Sequence, residues 1–252
     1  MSAQISPLMR TRHRRPAWHV ATVVETRPET PNSARLVLDV PTWPGNEAGT
    51  HVDVRLTAPD GYQTTRSYSV ATSEPGKVVL GIDELPDGEV SPFLVREVRA
   101  GDTLEIRGPL GSYFVWRAGQ SDRPVQLIAG GSGVVPLFAM AAAHAAASDP
   151  SQFRLLYSVR TPAHVYFRDE LAALAGPSLA VDYIYTRQAP PGWAGMVGRL
   201  TKDSLASTTI APHQRARIFV CGSTAFAETV VTWLLELGHS ARDILTERFG
   251  GL

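Results

Sequence analysis

The second half of the chain alternates two kinds of segment, and this alternation restricts the possible folds more than any other feature. From about residue 122, short apolar runs such as VQLIA, RLLYSV, AVDYIYT and ARIFVCG alternate with longer segments of helical character. These longer segments are VPLFAMAAAHAAA, VYFRDELAALAG and AFAETVVTWLLELG, and we predict that Gly176 and Gly238 end the last two. Strands that alternate with helices form a parallel sheet with helical crossovers. The pattern predicts a parallel α/β domain over residues 122–252.

The first half, residues 16–117, has a different pattern. The runs WHVATVVET, ARLVLDV, HVDVRLT, RSYSVA, KVVLGID and DTLEIRG are rich in strand-forming residues and are bounded by Pro, Gly, Asp and Asn. They predict an antiparallel barrel or sandwich. The segment VSPFLVREV is predicted to be a helix, with Ser91 as its N-cap and Pro92 at its first position. RAGQSDRP, residues 117–124, is the predicted linker between the two domains.

Composition argues against several classes of function. The 252 residues include 24 Lys and Arg, 24 Asp and Glu, and one cysteine, Cys221. A net charge of about zero gives no general attraction to nucleic acid or anionic membranes, and no apolar run approaches the ~20 residues of a membrane helix. One thiol cannot form an internal disulfide or hold a four-thiolate iron–sulfur cluster. The seven histidines lack metal-ligand spacing. We predict a cytoplasmic monomer without a metal site.

The N-terminal stretch RTRHRRPAWHV contains the pair Arg14-Arg15, which invites comparison with a twin-arginine export signal. Such a signal continues into an apolar segment, whereas here Pro16 follows and no apolar segment comes after it. We therefore predict that residues 1–15 are a disordered basic tail.

A glycine-rich turn lies between the first predicted strand and helix of the second half. LIAGGSGVVPL places Gly131, Ser132 and Gly133 there, where glycines let a ligand approach the backbone and the N–H groups at a helix start attract anions. The spacing is GxGxxP, with Pro136 in place of the common third glycine, and proline is tolerated in a first helical turn. The turn predicts a dinucleotide phosphate site, and a plain tight turn is the alternative.

A second distinctive stretch, TTRSYSVAT, lies on a predicted strand of the first half. Because a strand alternates its faces, Arg66 and Tyr68 are expected on one side, and Ser67 and Ser69 on the other or at the strand end. One face would then offer a guanidinium beside an aromatic ring. That combination suits a ligand with both a phosphate and a planar ring system.

Five motifs in order resemble the ferredoxin–NADP reductase family of flavoproteins. They are Arg66-Ser67-Tyr68-Ser69, Gly108-Pro109-Leu110-Gly111, Gly131-Ser132-Gly133 with Pro136, Cys221-Gly222, and Glu247-Arg248-Phe249. The resemblance extends over residues 17–251. It implies a six-stranded antiparallel FAD-binding β-barrel followed by a Rossmann-like parallel α/β domain that binds NAD(P), without a 2Fe–2S domain.

The resemblance also implies roles for individual residues in flavin binding. Arg66 would pair with the FAD pyrophosphate, Tyr68 would stack on the isoalloxazine ring, and Ser69 would hydrogen-bond near N5. The loop that ends at Ser91 resembles a second phosphate loop, although Asp87 replaces a usual glycine. The implied FAD-binding set is Arg66, Ser67, Tyr68, Ser69, Ile82, Gly88, Glu89, Val90, Ser91, Ser132 and Phe249.

The implied catalytic residues are Ser69, Cys221 and Glu247. Cys221 would face the nicotinamide, and a small buried core residue is the alternative. Ser223 follows Cys221-Gly222 where the family usually has proline. The implied NADP-binding set is Gly131, Gly133, Arg160, Thr186, Arg187, Arg199, Cys221 and Gly222.

Three arginines bear on the choice of coenzyme. Arg160 and Arg187 follow predicted strands of the parallel sheet, and Arg199 lies in the loop beyond. By resemblance these positions bind the 2′-phosphate of NADP, and no acidic residue ends the second strand, as it would in an NAD-type site. The pattern favours NADPH over NADH, with solvated loop arginines as the alternative.

The resemblance implies an enzyme that transfers hydride from NADPH to flavin N5 and then passes single electrons to a separate acceptor. Because one cysteine cannot hold a cluster, the acceptor would be a diffusible molecule or a separate protein, and the resemblance implies a ferredoxin or an oxygenase or haem component. Two alternatives stay open. One is an NAD(P)H-dependent free-flavin or quinone reductase, and the other is a non-catalytic module that binds flavin or nucleotide.

Overall fold

A computed structural model describes residues 16–72 and 74–250 of the chain. The predicted basic tail, residues 1–15, lies outside the described residues. Within the described part, no helix is long and apolar enough to cross a membrane. These residues also contain no group of three His, Cys, Asp or Glu side chains placed to hold a metal ion.

The first domain is a six-stranded antiparallel sheet with the strand order β4-β3-β6-β1-β2-β5. Its ends meet, because Val70 forms a bridge with Leu80 and the Ala71 N–H donates to the Val79 carbonyl at 2.8 Å. The predicted six-stranded antiparallel barrel is therefore confirmed. The strands are β1 (Ala17–Thr30), β2 (Ser33–Asp39), β3 (His51–Thr57), β4 (Gln63–Ser69), β5 (Lys77–Asp83) and β6 (Thr103–Leu110).

Alternating apolar residues fill the inside of the barrel. Val52 and Val54 on β3 and Leu36 and Leu38 on β2 are fully buried, as expected for strands with one face toward a core. A short helix, α1 (Ser91–Arg96), adds Leu94 to the same core.

The predicted capping of α1 is wrong. Ser91 is the first residue of the helix, Val90 precedes it without a side-chain cap, and Pro92 is therefore at the second helical position. The Ser91 hydroxyl accepts a hydrogen bond from the Leu85 N–H at 3.0 Å. This hydrogen bond closes the loop before the helix, so the Ser91 hydroxyl does not cap the helix.

The second domain is a five-stranded parallel sheet with the order β11-β10-β7-β8-β9, which confirms the predicted Rossmann-like α/β domain. Our sequence analysis did not assign α4 or β11. Helix α4 begins with a capping box between Thr201 and Ser204. The elements are β7 (Val125–Gly130), α2 (Val134–Ala147), β8 (Phe153–Val159), α3 (Arg168–Leu174), β9 (Leu179–Tyr185), α4 (Lys202–Thr208), β10 (Arg217–Ser223), α5 (Thr224–Glu236) and β11 (Ile244–Phe249).

One helix end is predicted correctly and the other is not. Gly238, just after α5, has a φ of +93°, a conformation that glycine adopts readily. Helix α3 instead ends when the chain extends at Ala175, and Gly176 pairs with Leu179. Its start is also later than predicted, because Phe167, just before the helix, has a left-handed conformation with a φ of +50°, and its N–H donates to Glu29 of the barrel at 2.5 Å.

The two domains share one apolar cluster. Trp116, which follows the barrel, packs its ring edge against Phe153 of β8 at a centroid distance of 5.2 Å and against His144 of α2 at 5.8 Å. Buried Val79 and Phe114 belong to the same cluster as the core of the parallel sheet. A polar contact reinforces the junction, since Arg35 of β2 forms ion pairs with Glu29 of β1 and with Glu170 of α3. The domains therefore meet as packed surfaces, which keeps the groups at the junction in a defined geometry.

Candidate functional site

The crevice of the parallel sheet opens where β7 ends. Strand β7 lies between β8 and β10, so the chain order of the sheet reverses at this point. The chain leaves β7 through a short 3₁₀ turn, residues 131–133, and enters α2 at Val134, with Pro136 in the first helical turn as predicted. In open α/β sheets, ligands bind in the crevice at such a reversal.

The glycines of this turn are tight on one side and open on the other. A Cβ at Gly133 would lie 2.3 Å from the carbonyl oxygen of Cys221, so the turn packs directly against β10. Gly131 has a φ of +55°, and a Cβ there would meet no atom within 4 Å. The open side exposes backbone beside the start of a helix of 14 residues. This cradle fits the phosphates of a dinucleotide.

A cleft with a volume of ≈ 290 Å³ begins at this turn and runs between the two domains. The cleft brings together several predicted cofactor residues, which come from the turn between β7 and α2, the loops after β8 and β9, and the end of β11. They are Gly131, Ser132, Arg160, Thr186 and Phe249.

Among the cleft residues missing from our sequence prediction, three have titratable side chains. Asp83 at the end of β5 lines the cleft from the barrel side, and His164 and Tyr166 line it from the loop after β8. The Tyr166 hydroxyl donates a hydrogen bond to Asp83 Oδ1 at 3.1 Å. His164 follows Arg160 closely enough in sequence to have been a candidate. Asp83 carries no local signal, because its place in the cleft depends on how the domains pack.

Positive groups gather at one end of the cleft. The Arg187 N–H donates to the Arg160 carbonyl at 3.0 Å, which brings the loops after β8 and β9 together. Burial, followed by the charges of Arg160 and Arg187, lowers the pKa of His164. Arg160 lines the cleft, whereas Arg187 and Arg199 are exposed and are not among the described residues that line it. Two of the three predicted arginines are therefore close together, and His164 joins them.

The three predicted catalytic residues meet at the domain junction. The Ser69 hydroxyl at the end of β4 donates to Glu247 Oε1 at 3.1 Å, and Glu247 is the register partner of Cys221 on the neighbouring strand. Burial raises the pKa of Glu247 to about 7, although the Ser69 hydrogen bond opposes the shift. Burial and the nearby Glu247 raise the pKa of the Cys221 thiol. At neutral pH the thiol is neutral, and Glu247 can hold or release a proton.

The strand that carries Arg66 has the predicted alternation. Arg66 and Tyr68 pair across β3 with Val54 and Val52, whose side chains point into the barrel, so the two share a face. Ser67 lies on the other face, where its hydroxyl donates to an Asp53 carboxylate oxygen at 2.7 Å.

These two side chains differ in their surroundings. Burial raises the pKa of Tyr68 to about 12, which keeps the phenol neutral. The side chain of Arg66 is 56% exposed, and its nearest carboxylate oxygen is on Glu89 at 4.0 Å. Its Nη1 donates to the Thr65 carbonyl at 2.8 Å, and the remaining donors of the guanidinium are available to an anion.

The predicted second phosphate loop contacts Arg66 from the side. The Gly88 N–H already donates to the Leu85 carbonyl at 2.8 Å, so it serves the loop's own turn. Glu89 places a carboxylate beside Arg66 and also accepts from the Tyr62 hydroxyl at 3.3 Å. Ile82 and Val90 are buried in the barrel core, which leaves only their backbone for a ligand.

A second cleft, with a volume of ≈ 760 Å³, lies on the barrel near Arg66. It runs between the β3–β4 hairpin and α1, and Glu89 and Thr64 form part of its wall. Two of its side chains are exposed aromatic rings, Tyr62 at 56% and Phe93 at 37%. Such rings offer a stacking surface to a planar group.

Comparison with known proteins supports the two-domain assignment. Profiles of two families match, the oxidoreductase FAD-binding domain over residues 21–115 and the oxidoreductase NAD-binding domain over residues 127–232. The chain is 30% identical to NADH–cytochrome b5 reductase 1 of Arabidopsis thaliana over 217 residues, which cover 83% of this chain and 76% of that protein. It is 38% identical to methane monooxygenase component C of Methylosinus trichosporium over 136 residues. That match covers 53% of this chain and 38% of the relative.

Solved structures show the same fold. The cytochrome P450 reductase of Amycolatopsis superposes with a TM-score of 0.81 at 25% identity, over 93% of this chain and 70% of that one. The ferredoxin NADP+ reductase of Neisseria gonorrhoeae, solved with FAD and NADP, gives a TM-score of 0.78 at 22% identity, over 92% of this chain and 98% of that one.

Proposed function

This chain belongs to the ferredoxin–NADP reductase family of flavoproteins, with an FAD-binding and an NAD(P)-binding oxidoreductase domain, and we propose that it is a reductase that passes electrons from NADPH to a separate acceptor protein. The hydrogen bond between Ser69 and Glu247 carries this proposal. It joins the end of the RSYS strand in the barrel to the last strand of the nucleotide domain. Side chains from the two domains, Ser69 and Glu247, thus meet beside the neutral thiol of Cys221.

The chemistry would belong to the cofactors, since bound flavin accepts hydride from a nicotinamide and releases electrons one at a time. The chain's own groups would align the partners and manage protons. Ser69 presents a hydroxyl that Glu247 orients, and Glu247 can hold a proton near neutral pH. Cys221, neutral and buried, adds a small uncharged surface that excludes water.

We assign FAD as the flavin. Arg66 offers an accessible guanidinium whose planar fork suits a phosphate group. The nearby cleft with Tyr62 and Phe93 is large enough for an adenosine group and provides aromatic rings for its base. FMN lacks the adenosine group and would leave that cleft unused. Chromatography of the flavin released from the purified protein distinguishes the two.

The preference for NADPH is a separate part of the proposal. It is supported by Arg160, which lines the cleft, and by Arg187 on the adjoining loop, since these two cations suit a 2′-phosphate. Against it, the Arabidopsis relative is named as an NADH enzyme. We expect Arg160→Ala with Arg187→Ala to raise the KM for NADPH roughly tenfold and to leave the KM for NADH unchanged. Arg199→Ala is the matched control, and an equal rise with both coenzymes would contradict this assignment.

The first experiment is an anaerobic titration of the purified protein, followed by visible absorbance. Flavin bands that bleach with NADPH at lower concentration than with NADH would support the reductase and its coenzyme together. Bleaching by NADH alone would keep the enzyme class and remove the coenzyme preference. A colourless protein that takes up neither FAD nor nucleotide would contradict the whole proposal.

The acceptor is proposed to be a separate redox protein, either a ferredoxin or an oxygenase or haem component. The single cysteine cannot hold an iron–sulfur cluster in this chain. The Amycolatopsis and Methylosinus proteins are named as a cytochrome P450 reductase and a methane monooxygenase component. A free-flavin or quinone reductase is the second candidate. Stopped-flow mixing of the reduced protein with a ferredoxin and, separately, with free FMN and a quinone would decide between them.

A further inference from the structure

Among the described residues that line the nucleotide cleft, one is a carboxylate, Asp83, and it belongs to the barrel. Asp83 is the last residue of β5, and its neighbour Ile82 is fully buried inside the barrel. Because successive strand residues point to opposite faces, the Asp83 side chain points out of the barrel and toward the second domain. There the Tyr166 hydroxyl donates to it at 3.1 Å.

Asp83 faces the positive end of the cleft. Burial raises the pKa of its carboxyl, while the Tyr166 hydrogen bond and the charges of Arg160 and His164 lower it. The neighbouring Glu84 points elsewhere, since it forms an ion pair with Arg96 of α1. Asp83 is thus placed to offset the charge of Arg160 within the cleft.

A carboxylate in this position acts differently on the two nicotinamide coenzymes. NADP carries a 2′-phosphate with nearly two negative charges, which a nearby carboxylate repels. NAD carries a 2′-hydroxyl there, which can donate a hydrogen bond to the same carboxylate. In many NAD sites the acidic residue that does this follows the second strand of the sheet. In this chain that place is occupied by Arg160, and the acidic group comes from the other domain.

We infer that Asp83 is a specificity-determining residue that acts from the barrel side, favouring NAD(H) and opposing the preference of Arg160 for NADP(H). This inference rests on the proposed function, in that the cleft must bind a nicotinamide dinucleotide. The coenzyme preference would then depend on two opposing groups, Arg160 of the nucleotide domain and Asp83 of the barrel.

The test is the ratio of two dissociation constants, measured by calorimetry on the FAD-loaded protein with NAD+ and with NADP+. Asp83→Asn removes the charge but keeps an oxygen that accepts from Tyr166, so the domain junction is preserved. We expect the variant to shift the ratio toward NADP+ by about fivefold, the size of a partly solvated charge interaction. An unchanged ratio, or a shift toward NAD+, would overturn the inference.

Further variants separate charge from structure. Asn32→Asp adds a second carboxylate to the same cleft and should shift the ratio toward NAD+. Tyr166→Phe removes the hydrogen bond without changing charge, so both constants should change by the same factor. Glu84→Gln, one residue away, should leave the ratio unaltered. If the wild-type protein binds neither nucleotide, the proposed function fails too, whereas binding with an unchanged ratio in Asp83→Asn refutes only the role of Asp83.

Discussion

Two regions of this molecule are suited to binding phosphate, and they use different groups to do so. On the barrel, a single exposed charge is available, since the Arg66 side chain is 56% exposed and its nearest carboxylate oxygen is 4.0 Å away. In the parallel sheet, the backbone itself forms the cradle, and Gly133 touches the carbonyl of Cys221 on the adjacent strand. A substitution at Arg66 can therefore remove phosphate binding without changing the fold of the barrel. In the second region, the binding surface at Gly131 and the packing contact at Gly133 belong to the same short turn.

The largest expected effect tests the backbone cradle. In Gly133→Ala the new Cβ would lie 2.3 Å from a backbone oxygen, so α2 and β10 must separate, at an expected cost of about 3 kcal/mol in unfolding free energy. Gly131→Ala is the matched control, because its Cβ meets open space and only the φ of +55° is strained, at about 1 kcal/mol. Urea denaturation measures both. Equal losses would mean that close packing at Gly133 is unimportant.

The second prediction concerns the charge on the barrel. Arg66→Ala should weaken FAD retention by roughly 10- to 100-fold, because a charge-assisted contact to phosphate is lost. The melting temperature of the flavin-free protein should not change, since Arg66 is exposed. Arg107→Ala, on β6 and separated from β4 by β3, serves as the control for a general change in surface charge. Full flavin content in Arg66→Ala would remove this residue from the site.

The smallest expected effect lies at the junction that joins the two regions. In the folded protein Glu247 has a pKa of about 7, whereas its usual value is 4.5. Its protonated form is therefore favoured by folding, so its stabilising contribution is complete below pH 4.5 and is lost as the pH rises to about 7. Glu247→Gln cannot ionise and should not show this loss.

The measurement is the melting temperature of both proteins between pH 4.5 and 8. The variant should gain on the wild type as the pH rises, by several degrees. Glu228→Gln, an exposed carboxylate on α5, is the control. Parallel curves for Glu247→Gln and the wild type would show that the carboxyl has an ordinary pKa.

Local signals in the sequence accounted for much of the fold. The antiparallel barrel, the later parallel sheet and the shared face of Arg66 and Tyr68 follow from periodicity, which depends only on nearby residues. The end of α5 at Gly238 follows from the ease with which glycine adopts a positive φ. Ser91 misled us, because a serine before a proline has the composition of a helix cap. Its hydroxyl instead accepts a hydrogen bond from the Leu85 N–H.

The sequence by itself therefore determined the order of the domains, the type of each sheet and the glycine turn that starts α2. Tertiary structure alone decided which distant groups meet. Ser69 and Glu247 are 178 residues apart, yet they form a hydrogen bond. Asp83 belongs to the barrel, yet it lines the nucleotide cleft. Periodicity and turn chemistry act over a few residues, whereas these contacts depend on how two cores pack against each other, which no short stretch of sequence encodes.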